Sequence, residues 1–200
     1  DFNAERLISN KNPPIKYDYL IQINKDGDTC DIKNGYHAQN KNLPLAEKCI
    51  KILSDELNLK GIIVGRDCPI NIDKQENIEV KPFQNYWDFI DILNTCRFIV
   101  LPNLEDASPR VLTEALALDK SIFVNDNILG GWKYVDKQTG VSFNETNIKE
   151  KALELLHSIP NHSPREYYLN NYTLKNSGKK LRDFIKSIYP KLSPCKYVNI

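Results

Sequence analysis

The sequence predicts an α/β fold of the Rossmann type, and three features support this prediction. Short apolar runs rich in β-branched and aromatic residues alternate with longer stretches whose apolar residues recur three and four positions apart. The short runs are apolar nearly throughout, as in strands of a parallel sheet that is covered on both faces. A chain of 200 residues suffices for one such domain. We therefore expect a single Rossmann-like domain with a mostly parallel sheet of about five or six strands and helices on both faces.

Five segments have the composition of strands. Each is brief and is bounded by Gly, Pro, Asp or Asn, which favour turns. They are YLIQI at 19–23, GIIVG at 61–65, IEVKPF at 78–83, RFIVLP at 97–102 and SIFVN at 121–125. Because helical segments separate most of these runs, the strands are expected to pair in parallel through crossover connections.

Five further segments have the spacing of amphipathic helices that pack on a sheet. Three lie between the strands, at 45–57, 86–96 and 109–118, and two close the chain, at 147–158 and 164–187. These elements divide the chain into a polar lead-in at 1–16, a Rossmann-like domain at 17–160 and a helical extension at 161–200.

Composition argues against several classes of protein. The formal net charge is +1 with acidic and basic residues mixed along the chain, so no nucleic-acid-binding face is expected. No apolar run is long enough to span a bilayer, and the polar amino end does not resemble a signal peptide. The five cysteines are widely spaced without a CxxC pair, which argues against a disulfide framework and a zinc site. We expect a cytoplasmic protein, with peripheral contact to a membrane left open.

The segment EDASPRVLTEALAL at 105–118 concentrates polar side chains at the start of an apolar helix. It follows a strand, so it lies where ligands bind in doubly wound folds, beyond the carboxyl ends of the strands. Ser108 is expected to cap the helix and Pro109 to occupy its first position. The remaining free amides, at a helix end with partial positive charge, predict an anion-binding site.

The same segment resembles a motif of retaining glycosyltransferases with the GT-B fold, the family 4-like group that includes sucrose synthases and bacterial lipopolysaccharide transferases. Asp106 and Glu114 match the family's acid, seven residues, Glu motif. The family motif follows a strand ending in Pro, as here, and precedes Ala-Leu-Ala, a strand and a Gly-Gly loop, here Gly130-Gly131.

Upstream residues extend this resemblance. Lys41-Asn42 ahead of the first helix resembles a Lys-Gly or Lys-Asn step of the family, and IIVGR at 62–66 resembles its next strand and glycine turn. The resemblance covers roughly residues 17 to 160 and corresponds to the carboxyl-terminal, donor-binding half of a GT-B enzyme. The chain also lacks methionine, even at position 1, so we expect a processed piece or an excised domain.

The resemblance implies that the domain binds a UDP-sugar or GDP-sugar without a metal ion or another cofactor. It implies catalytic roles for Asp106, which would bond the donor sugar, and for Lys41, which would stabilise the diphosphate. It also implies donor contacts from Glu114, Glu105, Ser108, Pro109, Arg110, Lys25, Lys33, Gly130 and Gly131. Among these, Glu114 would accept the ribose hydroxyls, and the glycines would let the backbone approach the ligand closely. The implied partners are an unknown glycan, lipid or protein acceptor and an amino-terminal Rossmann-like domain, in the same or another chain.

Several alternatives stay open on the sequence. Glu105 competes with Asp106 for the first acid position, although the spacing favours Asp106. The family has an Arg at the end of the first strand, and either Lys25 or Lys33 is the substitute available here. On residues alone, Glu114 and Arg110 also fit a surface salt bridge between positions four apart.

Other functions are also compatible with the sequence. A GT-B-like domain without transfer activity would serve as a binding or scaffold module, and an epimerase would act on the same nucleotide sugars. Asp26-Gly27-Asp28 has the Asp-x-Asp form with which metal-dependent GT-A transferases hold a divalent cation on a diphosphate.

Overall fold

Six parallel strands form the centre of the molecule. The structure is a computed structural model that describes residues 7, 13–24, 35–67 and 73–191. In chain order the strands are β1 (Tyr17–Gln22), β2 (Gly61–Val64), β3 (Ile78–Lys81), β4 (Cys96–Leu101), β5 (Ser121–Asn125) and β6 (Gly140–Phe143). They form one sheet in the order β3-β2-β1-β4-β5-β6, and every neighbouring pair is parallel. The predicted fold class, a single Rossmann-like α/β domain, is confirmed.

Helices cover both faces of this sheet. They are α1 (Tyr36–Asn40), α2 (Leu43–Ile50, continued by a π-helical segment at Lys51–Glu56), α3 (Tyr86–Asn94), α4 (Arg110–Ala117), α5 (Ile148–Ser158), α6 (Pro164–Asn171) and α7 (Leu174–Ile188). Helices α3, α4 and α6 bury residues against one face, and α2 and α5 bury residues against the other. No helix in the described part of the chain is long and apolar enough to cross a membrane. The division at residues 16 and 160 stays a prediction.

The core consists of two apolar layers separated by the sheet. Successive residues of β1 enter different layers, since Leu20 packs with the α3 and α4 side and Ile21 with the α2 and α5 side. On the second side, stacked and edge-on aromatic rings cross four strands, from Tyr19 through Phe98 and Phe123 to Phe143. Burial on both faces explains why the strands read as nearly continuous apolar runs.

Three element predictions differ from the structure. Strand β6 was not among the five predicted strands, because it is short, lies at the sheet edge and begins with Gly140. A Cβ at Gly140 would lie 1.8 Å from the carbonyl oxygen of Ile122, so this glycine permits close strand approach rather than a turn. The helix predicted at 164–187 is divided into α6 and α7, because the side chain of Thr173 accepts a hydrogen bond from the amide of Asn176 and starts a new helix. The helix predicted at 45–57 becomes π-helical after Ile50.

The strand order reverses at the centre of the sheet. Strands β2 and β3 lie on one side of β1, whereas β4, β5 and β6 lie on the other. The chain segments that follow β1 and β4 therefore lead to opposite sides and leave a space between them. The connection from β3 to β4 contains α3, which contacts α4.

Candidate functional site

A cleft of about 420 Å³ opens at the carboxyl ends of the strands. It lies where the strand order reverses, the position at which open α/β sheets bind ligands, and its volume is in the range of small-molecule pockets. The lining residues come from the last residues of β1 and β2 and from the segments that follow β1, β2, β3 and β4: Gln22, Asn24, Lys41, Val64, Gly65, Phe83, Gln84, Tyr86, Phe89, Asp106, Ser108, Arg110, Val111 and Glu114.

Glu114 is the buried acid of this cleft. It lies in the second turn of α4 and is only 6% exposed. Burial raises the pKa of Glu114 to about 7, although the neighbouring Arg110 acts in the opposite direction. Glu114 is therefore not a surface residue, and a pairing of its carboxylate with the exposed Arg110 stays a prediction. A carboxyl group that faces a cleft with a strongly shifted pKa is a candidate for ligand recognition.

The amino end of α4 lies at the cleft, and its N-cap residue is Pro109 rather than the predicted Ser108. The N-cap residue is Pro109 with ψ of 106°, so the helix begins at Arg110 and not at Pro109. Ser108 therefore lies outside the helix, and its hydroxyl is 3.1 Å from the hydroxyl of the buried Tyr134. Pro109 provides no side-chain cap, which leaves the amide end of the helix next to Ser108 and Arg110 at the cleft wall.

Lys41 and Asp106 lie on two loops that are joined by a backbone hydrogen bond. Lys41 is in the turn between α1 and α2, and Asp106 is in the loop after β4. The amide of Leu104 donates to the carbonyl oxygen of Asn40 over 3.0 Å, which holds the two loops together. Burial lowers the pKa of Lys41, and the carboxylate of Asp106 acts to raise it. The structure thus brings one cation and one anion of the predicted set together at the cleft.

Gly130 and Gly131 lie behind the acidic loop, outside the cleft lining. Gly130 has φ of 106°, and a Cβ there would lie 2.5 Å from the Cα of Ala107. Glycine therefore allows this segment to pack against the backbone of the loop that carries Asp106. Glu105 is exposed and pairs with Leu129 in an isolated parallel bridge. Direct contact of Gly130, Gly131 or Glu105 with a ligand stays a prediction.

One wall of the cleft is aromatic, and its residues are not among those predicted from the sequence. Phe83 and Tyr86 line the cleft on either side of Gln84 and Asn85, just after β3. Burial raises the pKa of Tyr86 to about 12, with a further contribution from the charge of Glu114, which indicates that these two side chains are neighbours. Their position just after a strand could have indicated that Phe83 and Tyr86 line the cleft, since residues at the carboxyl ends of parallel strands meet at one edge of the sheet.

Four buried polar atoms near this edge have no hydrogen-bond partner among the described residues. They are Oδ1 of Asn24, a cleft residue, Nε of Arg66, the residue after Gly65, and Oδ1 of Asn40 and of Asn103. Arg66 is 3% exposed, and burial lowers its pKa while Glu47 and Asp67 act to raise it. Unpaired buried polar groups are costly in an apo protein and are a frequent feature of binding sites.

Other predicted positions lie outside the described residues. Lys25 and Lys33 belong to the segment 25–34, and so do Asp26 and Asp28 of the metal-dependent alternative. In the part of the chain that the structure describes, no group of three or more His, Cys, Asp or Glu residues is arranged to hold a metal ion. Independence from metal stays a prediction.

The fold is similar to that of several solved structures, although no family model and no curated protein matches the sequence. TarM superposes with a TM-score of 0.62 and 14% identity over 85% of this chain and 35% of TarM. WaaG, a glycosyltransferase involved in lipopolysaccharide biosynthesis, superposes with a TM-score of 0.58 and 17% identity over 92% of this chain and 51% of WaaG. The pneumococcal O-GlcNAc transferase GtfA, in complex with UDP and GlcNAc, superposes with a TM-score of 0.58 and 12% identity over 88% of this chain and 36% of GtfA.

The chain has the fold of one Rossmann-like half of a GT-B protein. It spans between about a third and a half of the length of these three structures. The implied GT-B architecture is therefore confirmed for the domain described here. At these identities the likeness extends to the fold alone, so activity has to be argued from the cleft.

Proposed function

We propose that the cleft binds the nucleoside diphosphate of a sugar donor and that the domain is the donor-binding half of a glycosyltransferase. The observation that carries this proposal is the buried Glu114, which shares one cleft with Lys41 and the start of α4. A diphosphate needs cations and amide donors, and a ribose needs an acceptor for two hydroxyls. The cleft offers both within one volume. GtfA, with a similar fold, has been solved in complex with UDP.

Each group has a distinct role in this proposal. The ammonium of Lys41 approaches the diphosphate from the α1–α2 turn, while the amides at the start of α4 approach it from the other wall. The carboxylate of Glu114 accepts hydrogen bonds from both ribose hydroxyls. The nucleobase lies against Phe83 and Tyr86, since aromatic rings stack on any base. Asn24 Oδ1, which lacks a partner in the described part of the apo protein, gains a donor from the ligand.

The chemistry of transfer follows from the charge that develops on the leaving group. As the bond between the sugar and the diphosphate breaks, negative charge grows on the diphosphate oxygen. Lys41 and the positive end of α4 stabilise that charge in the transition state more than in the ground state, and this difference accelerates the reaction. Asp106 holds hydroxyls of the donor sugar in this scheme. Retention of anomeric configuration is proposed from the resemblance to the family 4-like enzymes.

Calorimetric titration with UDP and with GDP tests the proposal. We expect saturable binding of at least one nucleotide, with the same affinity in the presence of EDTA, because Lys41 and α4 supply the positive charge. Loss of binding on chelation would favour metal binding by Asp26 and Asp28 instead. Failure of both nucleotides to bind, with and without a divalent cation, would refute the proposal.

Turnover separates the transferase from the two other functions that the sequence leaves open. A transferase moves the sugar to an acceptor, an epimerase inverts a centre of the nucleotide sugar, and a binding module does neither. We expect residues 1–200 alone to bind the nucleotide but to transfer sugar slowly, because charge interactions weaken in a cleft open to water. Addition of an amino-terminal Rossmann-like half should then restore transfer.

A further inference from the structure

Tyr134 lies behind the start of α4, and its side chain is fully buried. Its hydroxyl group is 3.1 Å from the hydroxyl group of Ser108, which is the partner that the described residues provide for it. A buried phenol whose proton has no acceptor is costly, so Tyr134 is the donor in this bond and Ser108 Oγ is the acceptor.

The structure holds Tyr134 from several sides. Tyr134 ends a short 3₁₀ turn, Gly131–Tyr134, and its carbonyl oxygen accepts a hydrogen bond of 2.8 Å from the hydroxyl of the buried Thr139. Its ring belongs to the apolar layer on the α4 side of the sheet and packs against the ring of Tyr172, with 4.9 Å between centroids. Ser108, in contrast, is exposed. Tyr134 is therefore the fixed member of the pair, and Ser108 is the member that it positions.

Ser108 connects this bond to the cleft. It lines the cleft and precedes Pro109, the buried N-cap residue of α4, whose ψ of 106° leads the chain into the helix. The first amides of a helix have no partner within it and point away from its amino end. The position of Ser108 thus influences the direction of the amides of Arg110 and Val111, which also line the cleft.

We propose that Tyr134 is a positioning residue for the diphosphate of the bound nucleotide. While Ser108 Oγ accepts the proton of Tyr134, Ser108 keeps its own proton, which it donates to an anionic oxygen of the ligand in the complex. The same bond holds the chain at the start of α4 before the ligand arrives, so less order has to be imposed on binding. The inference rests on the proposed nucleotide site and adds to it a residue that touches no part of the ligand.

The hydroxyl group and the ring of Tyr134 can be tested separately. Tyr134→Phe keeps the ring in the apolar layer and removes only the hydroxyl group. Tyr172→Phe is the matched control, because Tyr172 belongs to the same aromatic group but lies outside the cleft lining. Its hydroxyl donates to the carbonyl oxygen of Lys133 over 2.6 Å, so this variant also removes a hydrogen bond from the segment around Tyr134.

Calorimetric titration of the full chain with UDP and uridine, and in parallel with GDP and guanosine, tests the inference. Tyr134→Phe should weaken nucleotide binding by about three- to tenfold, the range expected for one hydrogen bond. It should change nucleoside affinity by less than about twofold, because only the nucleotide carries the diphosphate. Tyr172→Phe should leave both affinities unchanged.

A double-mutant cycle with Ser108→Ala shows whether Tyr134 acts through Ser108. Ser108→Ala should weaken nucleotide binding at least as much as Tyr134→Phe, and the double variant should bind no more weakly than Ser108→Ala alone. Urea denaturation gives an independent readout. Ser108→Ala leaves the buried phenol without its acceptor, so the addition of Tyr134→Phe should restore part of the lost stability.

The outcomes distinguish this inference from the proposed function. If the wild type binds a nucleotide and Tyr134→Phe binds it equally well, the role of Tyr134 is refuted and the nucleotide site stands. Failure of the wild type to bind either nucleotide would refute both. Equal losses for nucleotide and nucleoside, equal losses in Tyr134→Phe and Tyr172→Phe, or additive losses with Ser108→Ala would each overturn the positioning role.

Discussion

Replacement of Glu114 by Gln separates its proposed role in binding from its effect on stability. At pH 8 the carboxyl group, whose pKa burial raises to about 7, is mainly ionised and accepts the ribose hydroxyls. Gln is nearly isosteric but neutral, and it presents one acceptor oxygen instead of two. Hydrogen bonds to charged groups contribute about 1.5 to 3 kcal/mol, so UDP affinity should fall roughly ten- to more than hundredfold.

Stability should change in the opposite direction. The folded protein retains the Glu114 proton up to about pH 7, whereas the unfolded chain releases it near the ordinary pKa of 4.5. The stability from the protonated carboxyl group is therefore fully present below pH 4.5 and is lost as the pH rises through 7. The pKa of Glu114 differs by about 2.5 units between the folded and the unfolded chain, which corresponds to about 3 kcal/mol of unfolding free energy. Between pH 4.5 and 8, the unfolding free energy of Glu114→Gln should rise by about that amount relative to the wild type.

Isothermal calorimetry with UDP at pH 8 measures the change in affinity. Urea denaturation at about pH 4.5 and pH 8 measures the change in unfolding free energy. Glu150, which is exposed on α5 outside the cleft lining, supplies a control, since Glu150→Gln should change neither quantity by more than a few tenths of a kcal/mol. Unchanged UDP affinity of Glu114→Gln would refute the assignment of the ribose site. A pH-independent stability difference between wild type and variant would refute burial of an ionisable carboxyl group.

Two other substitutions test the surroundings of the cleft. Lys41→Met should reduce UDP affinity by about tenfold or more while leaving uridine affinity nearly unchanged, because only UDP carries the diphosphate; equal losses in calorimetry for both ligands would contradict a diphosphate contact. Gly130→Ala should reduce the unfolding free energy by about 2 kcal/mol, since it places a Cβ 2.5 Å from Ala107 at φ of 106°. Gly178→Ala is its control in urea denaturation: with no neighbour within 4 Å of its Cβ position, it should be neutral or stabilise α7 by up to about 1 kcal/mol. Equal changes in the unfolding free energy of the two variants would show that a Cβ at position 130 causes no strain.

The fold class was accessible from the sequence because local patterns determine it. Each central strand is buried on both faces and therefore reads as an unbroken apolar run, and each intervening helix has one apolar side. Strand β6 escaped this pattern because two of its four residues are half-buried at the sheet edge. The start of α4 was predicted one residue too early, because the extended ψ of Pro109 depends on contacts such as that of Ser108 with Tyr134.

The site was accessible only in part. The spacing of Asp106 and Glu114 and the position of Lys41 ahead of a helix are local features, and all three residues line the cleft. Tyr86 and Phe83 could not be assigned in the same way, since they reach α4 through the crossover from β3 to β4, which depends on the strand order. Burial of Glu114, and hence its pKa, likewise depends on tertiary packing and not on its neighbours in sequence.

The most direct measurement of the central claim is the titration of ¹⁵N-labelled protein with UDP, and in parallel GDP, followed by amide chemical shifts. If the cleft where the strand order reverses binds the nucleotide, saturable shifts should concentrate on Gly65, Arg110 and Val111, and Glu114→Gln should weaken them. The account is contradicted if neither nucleotide gives saturable shifts at millimolar concentration. It is equally contradicted if the largest shifts occur around Asp119 and His162, which line a separate groove near the amino end of β5.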